Sequence, residues 1–120
     1  VGEMGKTAYG AAKAGIISLT KATSVQYGKL NVRANAIAPG MVLSEDMVNN
    51  APESLQKMID IYTEHKNTPR IGNPMDVAYL ALYLASNESQ FITGQVIKAD
   101  GGILAHNPTV VDIGKADIKW

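Results

Sequence analysis

Residues 8–40 constrain the fold more than any other part of the chain. From Ala8 to about Tyr27, the residues Ala8, Ala11, Ala12, Ile16, Leu19, Ala22 and Val25 approximate a helical stripe. Thr7 is the expected cap and Gly28 the expected stop. Leu30 to Ala38 then alternates, with Val32, Ala34, Ala36 and Ala38 on one face and Arg33, Asn35 and Ile37 on the other. Small residues on both faces suit a strand covered by helices, and Pro39-Gly40 ends it. A helix, a short link and a strand make the second half of a βαβ unit, so the expected class is α/β with a parallel sheet.

At the start of that helix stand Tyr9 and Lys13, four residues apart. Helical spacing of four stacks two side chains on one face. An ammonium held beside a phenol favours the phenolate. A tyrosine tuned in this way can protonate a carbonyl oxygen, or take a proton from an alcohol, near neutral pH. The spacing recurs at Tyr62-Thr-Glu-His-Lys66, but that copy lies in a polar, charge-mixed segment with no strand after it. Context therefore assigns the chemistry to Tyr9 and Lys13. The small residues Gly10, Ala11, Ala12, Ala14 and Gly15 would let a partner or cofactor approach the helix backbone.

The totals exclude several classes. Lys plus Arg and Asp plus Glu both number 11, so no basic excess points to nucleic acid or an acidic membrane. There is no cysteine, hence no disulfide and no thiolate metal site. His65 and His106 are far apart and form no ligand cluster, and no metal is expected. No apolar run approaches a membrane span, so a cytoplasmic protein is the default expectation. The chain begins at Val1, with a loop-like opening, and is expected to be a piece of a longer one.

Further along, residues 41–72 read as the least regular stretch. They include Met41, Met47 and Met58, with a possible amphipathic helix over 53–66. Adaptable methionines around a cleft suggest a substrate lid. Asn73-Pro74 starts a helix with Asp76 in its first turn, running to about Ser86. Its expected buried stripe is Val77, Leu80, Ala81, Leu84 and Ala85. Thr93-Gly94 is a turn, and Gln95–Ala99 a short strand ending at Asp100-Gly101-Gly102. The tail is 103–120.

Taken together these pieces resemble the C-terminal half of a classical short-chain dehydrogenase/reductase. They are Tyr9-x-x-x-Lys13, Asn31-Val-Arg-Ala-Asn-Ala-Ile-Ala-Pro-Gly40, Arg70-Ile-Gly-Asn-Pro74, Leu84-Ala-Ser86 and Thr93-Gly-Gln-Val-Ile-Lys-Ala-Asp-Gly-Gly102. Order and spacing follow the family over residues 1–102. The resemblance implies the C-terminal half of a doubly wound, Rossmann-type parallel sheet that binds NAD or NADP. It also implies hydride transfer between a secondary alcohol and a ketone. Tyr9 would be the general acid/base, and Lys13 would hold the nicotinamide ribose hydroxyls. The segment after Pro39-Gly40 would meet the nicotinamide. Val42 would offer backbone groups to the carboxamide, and Ser44 a hydroxyl where the family often has threonine.

Ala12 stands where the family frequently has serine, and Ala99 where it commonly has valine. The family's glycine-rich cofactor turn, its NAD/NADP-selecting strand and its catalytic asparagine and serine belong upstream of Val1. The family also implies a homo-oligomer, dimer or tetramer, through the helix at 8–28 and through the helix at 74–86 with the strand at 95–99. In such family members the tail often reaches a neighbouring subunit or the active-site mouth, as His106 or Trp120 could here, although a solvent-exposed end is the expectation. A second reading is a non-catalytic half-domain acting as an oligomerisation module, with an unpaired sheet edge. The substrate is small, an apolar or cyclic alcohol or ketone or an acyl chain.

Overall fold

The computed structural model describes residues 5–105, 107 and 109–116. The expectations for His106 and Trp120 lie outside the described residues. Helix α1 spans Thr7–Tyr27, strand β1 Ala36–Pro39, helix α2 Glu45–Asn49 and helix α3 Glu53–Glu64. Helix α4 spans Pro74–Ala85, strand β2 Val96–Ala99 and helix α5 Val110–Lys115. The strands form a two-stranded sheet of order β1-β2. Its backbone bonds advance in step, Ala36 N to Gln95 O at 2.8 Å and Gly40 N to Ala99 O at 3.1 Å, so the pairing is parallel. The chain divides into two compact units, one of residues 5–38 and 79–97, the other of 39–78 and 98–116.

In the first unit, α1 forms where its stripe predicts, and only its N-terminal boundary differs. Thr7 is the first helical residue, and the cap position is Lys6, which makes no side-chain cap bond. Gly28 is the C-cap at which the α-helix ends, as expected, although its φ of −58° is right-handed and a 3₁₀ turn runs on over Gly28–Leu30. Asn31 ends it at φ 63°, because a short amide side chain tolerates the left-handed region. The strand is also shorter than the alternation suggests. Residues 33–35 are held by side chains and a turn, not by a ladder. Ala34 N donates to Thr93 Oγ1 at 3.1 Å, Asn35 Nδ2 to Ile92 O at 2.9 Å, and Gln95 N to Asn35 Oδ1 at 3.1 Å. Arg33 spreads its guanidinium over three carbonyls, Leu84 at 2.7 Å, Ser86 at 3.1 Å and Ile92 at 3.3 Å. A planar cation there satisfies carbonyls that α4 leaves open at its C-terminus. Ser89, 1% exposed, reaches Leu84 O and Ser86 O from the same side.

The apolar stripe of α1 is uncovered. Leu19 is 66% and Val25 82% exposed, and the helix has no buried residue. The stripe of α4 is half-buried at Val77, Leu80 and Leu84, whereas Ala81 and Ala85 are exposed, contrary to the sequence expectation.

In the second unit the stretch after Gly40 is more regular than its sequence suggests. Ser44 caps α2, accepting from Met47 N at 3.2 Å, with Glu45 and Asp46 in the first turn. In α3, Leu55, Ile59 and Tyr62 face inward at helical spacing, and Ile59 is 7% exposed. Met58 and Ile61 point outward and are about half exposed. α4 begins as expected, with Asn73 Oδ1 accepting from Met75 N and Asp76 N. Lys115 of α5 forms an ion pair with Glu64. Among the described residues, no helix is long and apolar enough to cross a membrane.

Candidate active site

Tyr9 and Lys13 lie on one face of α1, in its first two turns. Lys13 Nζ sits 5.3 Å from the centre of the Tyr9 ring, within cation–π range. Lys6 Nζ approaches the same ring at 6.0 Å. Tyr9 is 59% exposed, so its hydroxyl is open to a reacting group. The second Tyr-x-x-x-Lys copy is dissolved by the fold. α3 ends at Glu64, and Lys66 has left the helix, with its Nζ 3.5 Å from Met41 O.

The other predicted site residues, Pro39, Gly40, Val42 and Ser44, run together at the end of β1 in the second unit. Pro39 closes the strand and is exposed. Gly40 is pressed against the Asp100 turn: a Cβ there would lie 2.8 Å from Asp100 Cα. Val42 forms an isolated parallel bridge with Gly72, and Leu43 N donates to Gly72 O at 2.9 Å. In a parallel bridge the flanking residues supply the bonds, so the N–H and C=O of Val42 itself are directed away from Gly72. That is the arrangement a carboxamide would require of Val42, and the segment fits a nicotinamide on this count. Ser44 already accepts at the α2 cap, and its hydroxyl proton remains able to donate.

Three features of the second unit have no counterpart among the sequence candidates. The turn Asp100-Gly101-Gly102 has φ of 64° and 78° at its glycines, and residues 66–68 are clamped on it. Asn67 N donates to Gly101 O at 2.9 Å and Asn67 Nδ2 to Gly102 O at 3.1 Å. Asp100 Oδ1 accepts from Gly102 N at 2.9 Å, while its buried Oδ2 makes no hydrogen bond. Arg70 grips Asp76 with two bonds of 2.7 Å, and Asn73 N adds a third at 2.8 Å. The Arg70 guanidinium, helped by that amide, holds the Asp76 carboxyl far below the usual carboxylate range. Burial, with Arg70 nearby, pushes the Lys66 ammonium down from its ordinary value, against the opposing pull of Asp100 and Asp76. The glycine pair was the only one of these visible as a turn signal in sequence. Lys66 and Asp100 are too far apart in the chain for any spacing rule to join them. Among the described residues, no group of three or more His, Cys, Asp or Glu side chains could hold a metal ion.

Residues 1–104 match the family model described as enoyl-(acyl carrier protein) reductase. The chain is 47% identical over 104 residues to a 7alpha-hydroxysteroid dehydrogenase of Bacteroides fragilis, covering 87% of this chain and 39% of that protein. It is 43% identical over 102 residues to the 3-oxoacyl-[acyl-carrier-protein] reductase of Chlamydia muridarum, covering 85% of this chain and 40% of that one. Its fold matches a short-chain dehydrogenase/reductase family oxidoreductase from Burkholderia thailandensis with a TM-score of 0.79 at 31% identity, over 99% of this chain and 46% of that one. A 4-hydroxyisoleucine dehydrogenase complexed with NADH matches with a TM-score of 0.71 at 31% identity, over 83% of this chain and 40% of that one. The chain belongs to the short-chain dehydrogenase/reductase family, and its α/β fold is part of that family's Rossmann-type parallel sheet. It spans about two fifths of the length of the curated relatives it matches.

Proposed function

We propose that this chain is the C-terminal half of an NAD- or NADP-dependent oxidoreductase that interconverts a secondary alcohol and a ketone. The observation that carries the reading is the pairing of Tyr9 with Lys13 on one helix face, the ammonium 5.3 Å from the ring. The NADH held by a structural relative supports the choice of cofactor. Tyr9, Lys13, Pro39, Gly40, Val42 and Ser44 are the residues of this chain that would contact it. The nicotinamide, when bound, supplies or accepts the hydride. The Tyr9 hydroxyl gives its proton to the ketone oxygen in reduction, and its oxygen takes the alcohol proton in oxidation. Lys13 keeps a positive charge beside that oxygen as negative charge develops on it, and binds ribose hydroxyls. Val42 would hold the carboxamide through its backbone N–H and C=O, which face away from Gly72.

Residues 41–72 would act as a substrate lid, with 103–120 as a tail. The uncovered apolar residues of α1 and α4 support a homo-oligomer as the working assembly, and a cytoplasmic setting is part of the proposal. Cyclic secondary alcohols are the first substrates to try, given the identity to a hydroxysteroid dehydrogenase.

The test is Tyr9→Phe in the complete protein. Turnover falls by at least two to four orders of magnitude, as expected for a lost general acid/base. Cofactor affinity stays near the wild-type value, because only one hydroxyl is removed. Retention of a tenth of the wild-type rate removes Tyr9 from the role.

A further inference from the structure

We infer that Lys66 is a positioning residue for the cofactor-binding backbone at Val42. The inference rests on the reading that Val42 meets the nicotinamide. Val42 is held from both sides. On one flank Leu43 N donates to Gly72 O at 2.9 Å. On the other, the Met41 carbonyl faces the Lys66 ammonium, with Nζ 3.5 Å from the oxygen. Alternation along the backbone then turns the N–H and C=O of Val42 the opposite way.

Lys66 itself is fixed by its surroundings. It lines a depression of about 280 Å³ shared with Met41, Arg70, Gly72, Asp76 and Asp100. Gly101 leaves room for its stem: a Cβ at Gly101 would come within 3.1 Å of Lys66 Cδ. The next residue, Asn67, is bonded to the same turn at Gly101 O and Gly102 O. The Asp100 and Asp76 carboxylates attract the ammonium, opposing burial and Arg70, which together push it down from its ordinary value. A side chain tethered at its root and charged at its tip can hold a carbonyl in one direction, which a mobile surface lysine cannot.

In this role Lys66 acts through Met41. Two readouts on the complete protein separate this from a general loss of stability. The first is hydrogen exchange at the Leu43 amide in the cofactor-free protein, with the Ala36 amide as a reference in the other unit. The second is the dissociation constant of NADH and NADPH by direct titration, which needs no turnover. In Lys66→Met, exchange at Leu43 speeds up about tenfold while Ala36 is unchanged, and the tighter dinucleotide binds about tenfold more weakly, the scale of one lost charged hydrogen bond. Lys66→Arg, which keeps the charge, returns both towards wild type. The inference is overturned if Lys66→Met leaves Leu43 exchange and affinity within twofold of wild type, or if Ala36 accelerates equally. It is also overturned if Lys66→Arg is as impaired as Lys66→Met. Should the wild-type protein bind neither dinucleotide, the oxidoreductase reading fails, and the Leu43 exchange alone decides whether Lys66 positions this backbone.

Discussion

Replacing Gly40 by alanine tests how the end of β1 is seated. The added methyl would lie 2.8 Å from Asp100 Cα, 3.0 Å from its Cβ and 3.3 Å from its carbonyl oxygen. Comfortable carbon contacts lie at about 3.5–4.0 Å, so the backbones must part by roughly 1 Å. Two of the three obstructing atoms belong to the main chain and cannot swing aside. Gly40 is not among the glycines with positive φ, so the cost is one of space and not of dihedral strain. Overpacking of this kind costs about 1–3 kcal/mol. Parting the strands also weakens the 3.1 Å bond from Gly40 N to Ala99 O, which contributes about 1 kcal/mol. The expected loss is therefore about 2–4 kcal/mol, by the sum of those two contributions. Urea unfolding of the complete protein measures it, with Gly114→Ala as the matched control. A Cβ at Gly114 meets nothing within 4 Å, and the residue is helical. That control should be neutral or stabilising by up to about 1 kcal/mol. A Gly40→Ala protein within about 0.5 kcal/mol of wild type, the range of ordinary surface changes, would refute the reasoning.

Arg33→Lys should destabilise by about 1–3 kcal/mol, because a single ammonium cannot serve three divergent carbonyls; an unchanged urea midpoint would count against that account. Asp76→Asn should show a pH signature. A carboxyl whose folded value is depressed stabilises the fold above its unfolded value of about 3.9 and loses that contribution as pH falls through the folded one. The variant should therefore be weaker than wild type at neutral pH, with the gap closing below pH about 4. A gap of constant size from neutral to strongly acid pH would contradict it. For Tyr9→Phe, the expected pattern is lost turnover with retained cofactor binding, read by steady-state kinetics and direct titration.

The elements that sequence could place were those whose signals are local. α1 and α4 have long stripes, and Pro74 and Asp76 mark a start whose chemistry is settled within one turn. Tyr9 and Lys13 were legible because both sit on one helix. Misplaced boundaries had non-local causes. The alternation over Leu30–Ala38 is real, yet residues 33–35 bond outside the ladder, to Leu84, Ser86 and residues 92–95, mostly through side chains. α2 is too short for periodicity, although Ser44-Glu45-Asp46 carried a capping signal that could have marked it. Lys66 was noticed only for its spacing from Tyr62, whereas the fold uses it 25 residues back, at Met41.

The bond between Leu43 and Gly72 closes everything from 44 to 71 into a loop with tied ends. The entropy of closing a flexible loop rises slowly with length, by about 0.6 kcal/mol per doubling. Insertions between α2 and α3, around Asn50-Ala51-Pro52, therefore leave the fastening almost untouched. Length changes confined to 50–52 keep Leu43, Gly72 and Lys66 in place, so the loop can grow there while its fastening stays as it is.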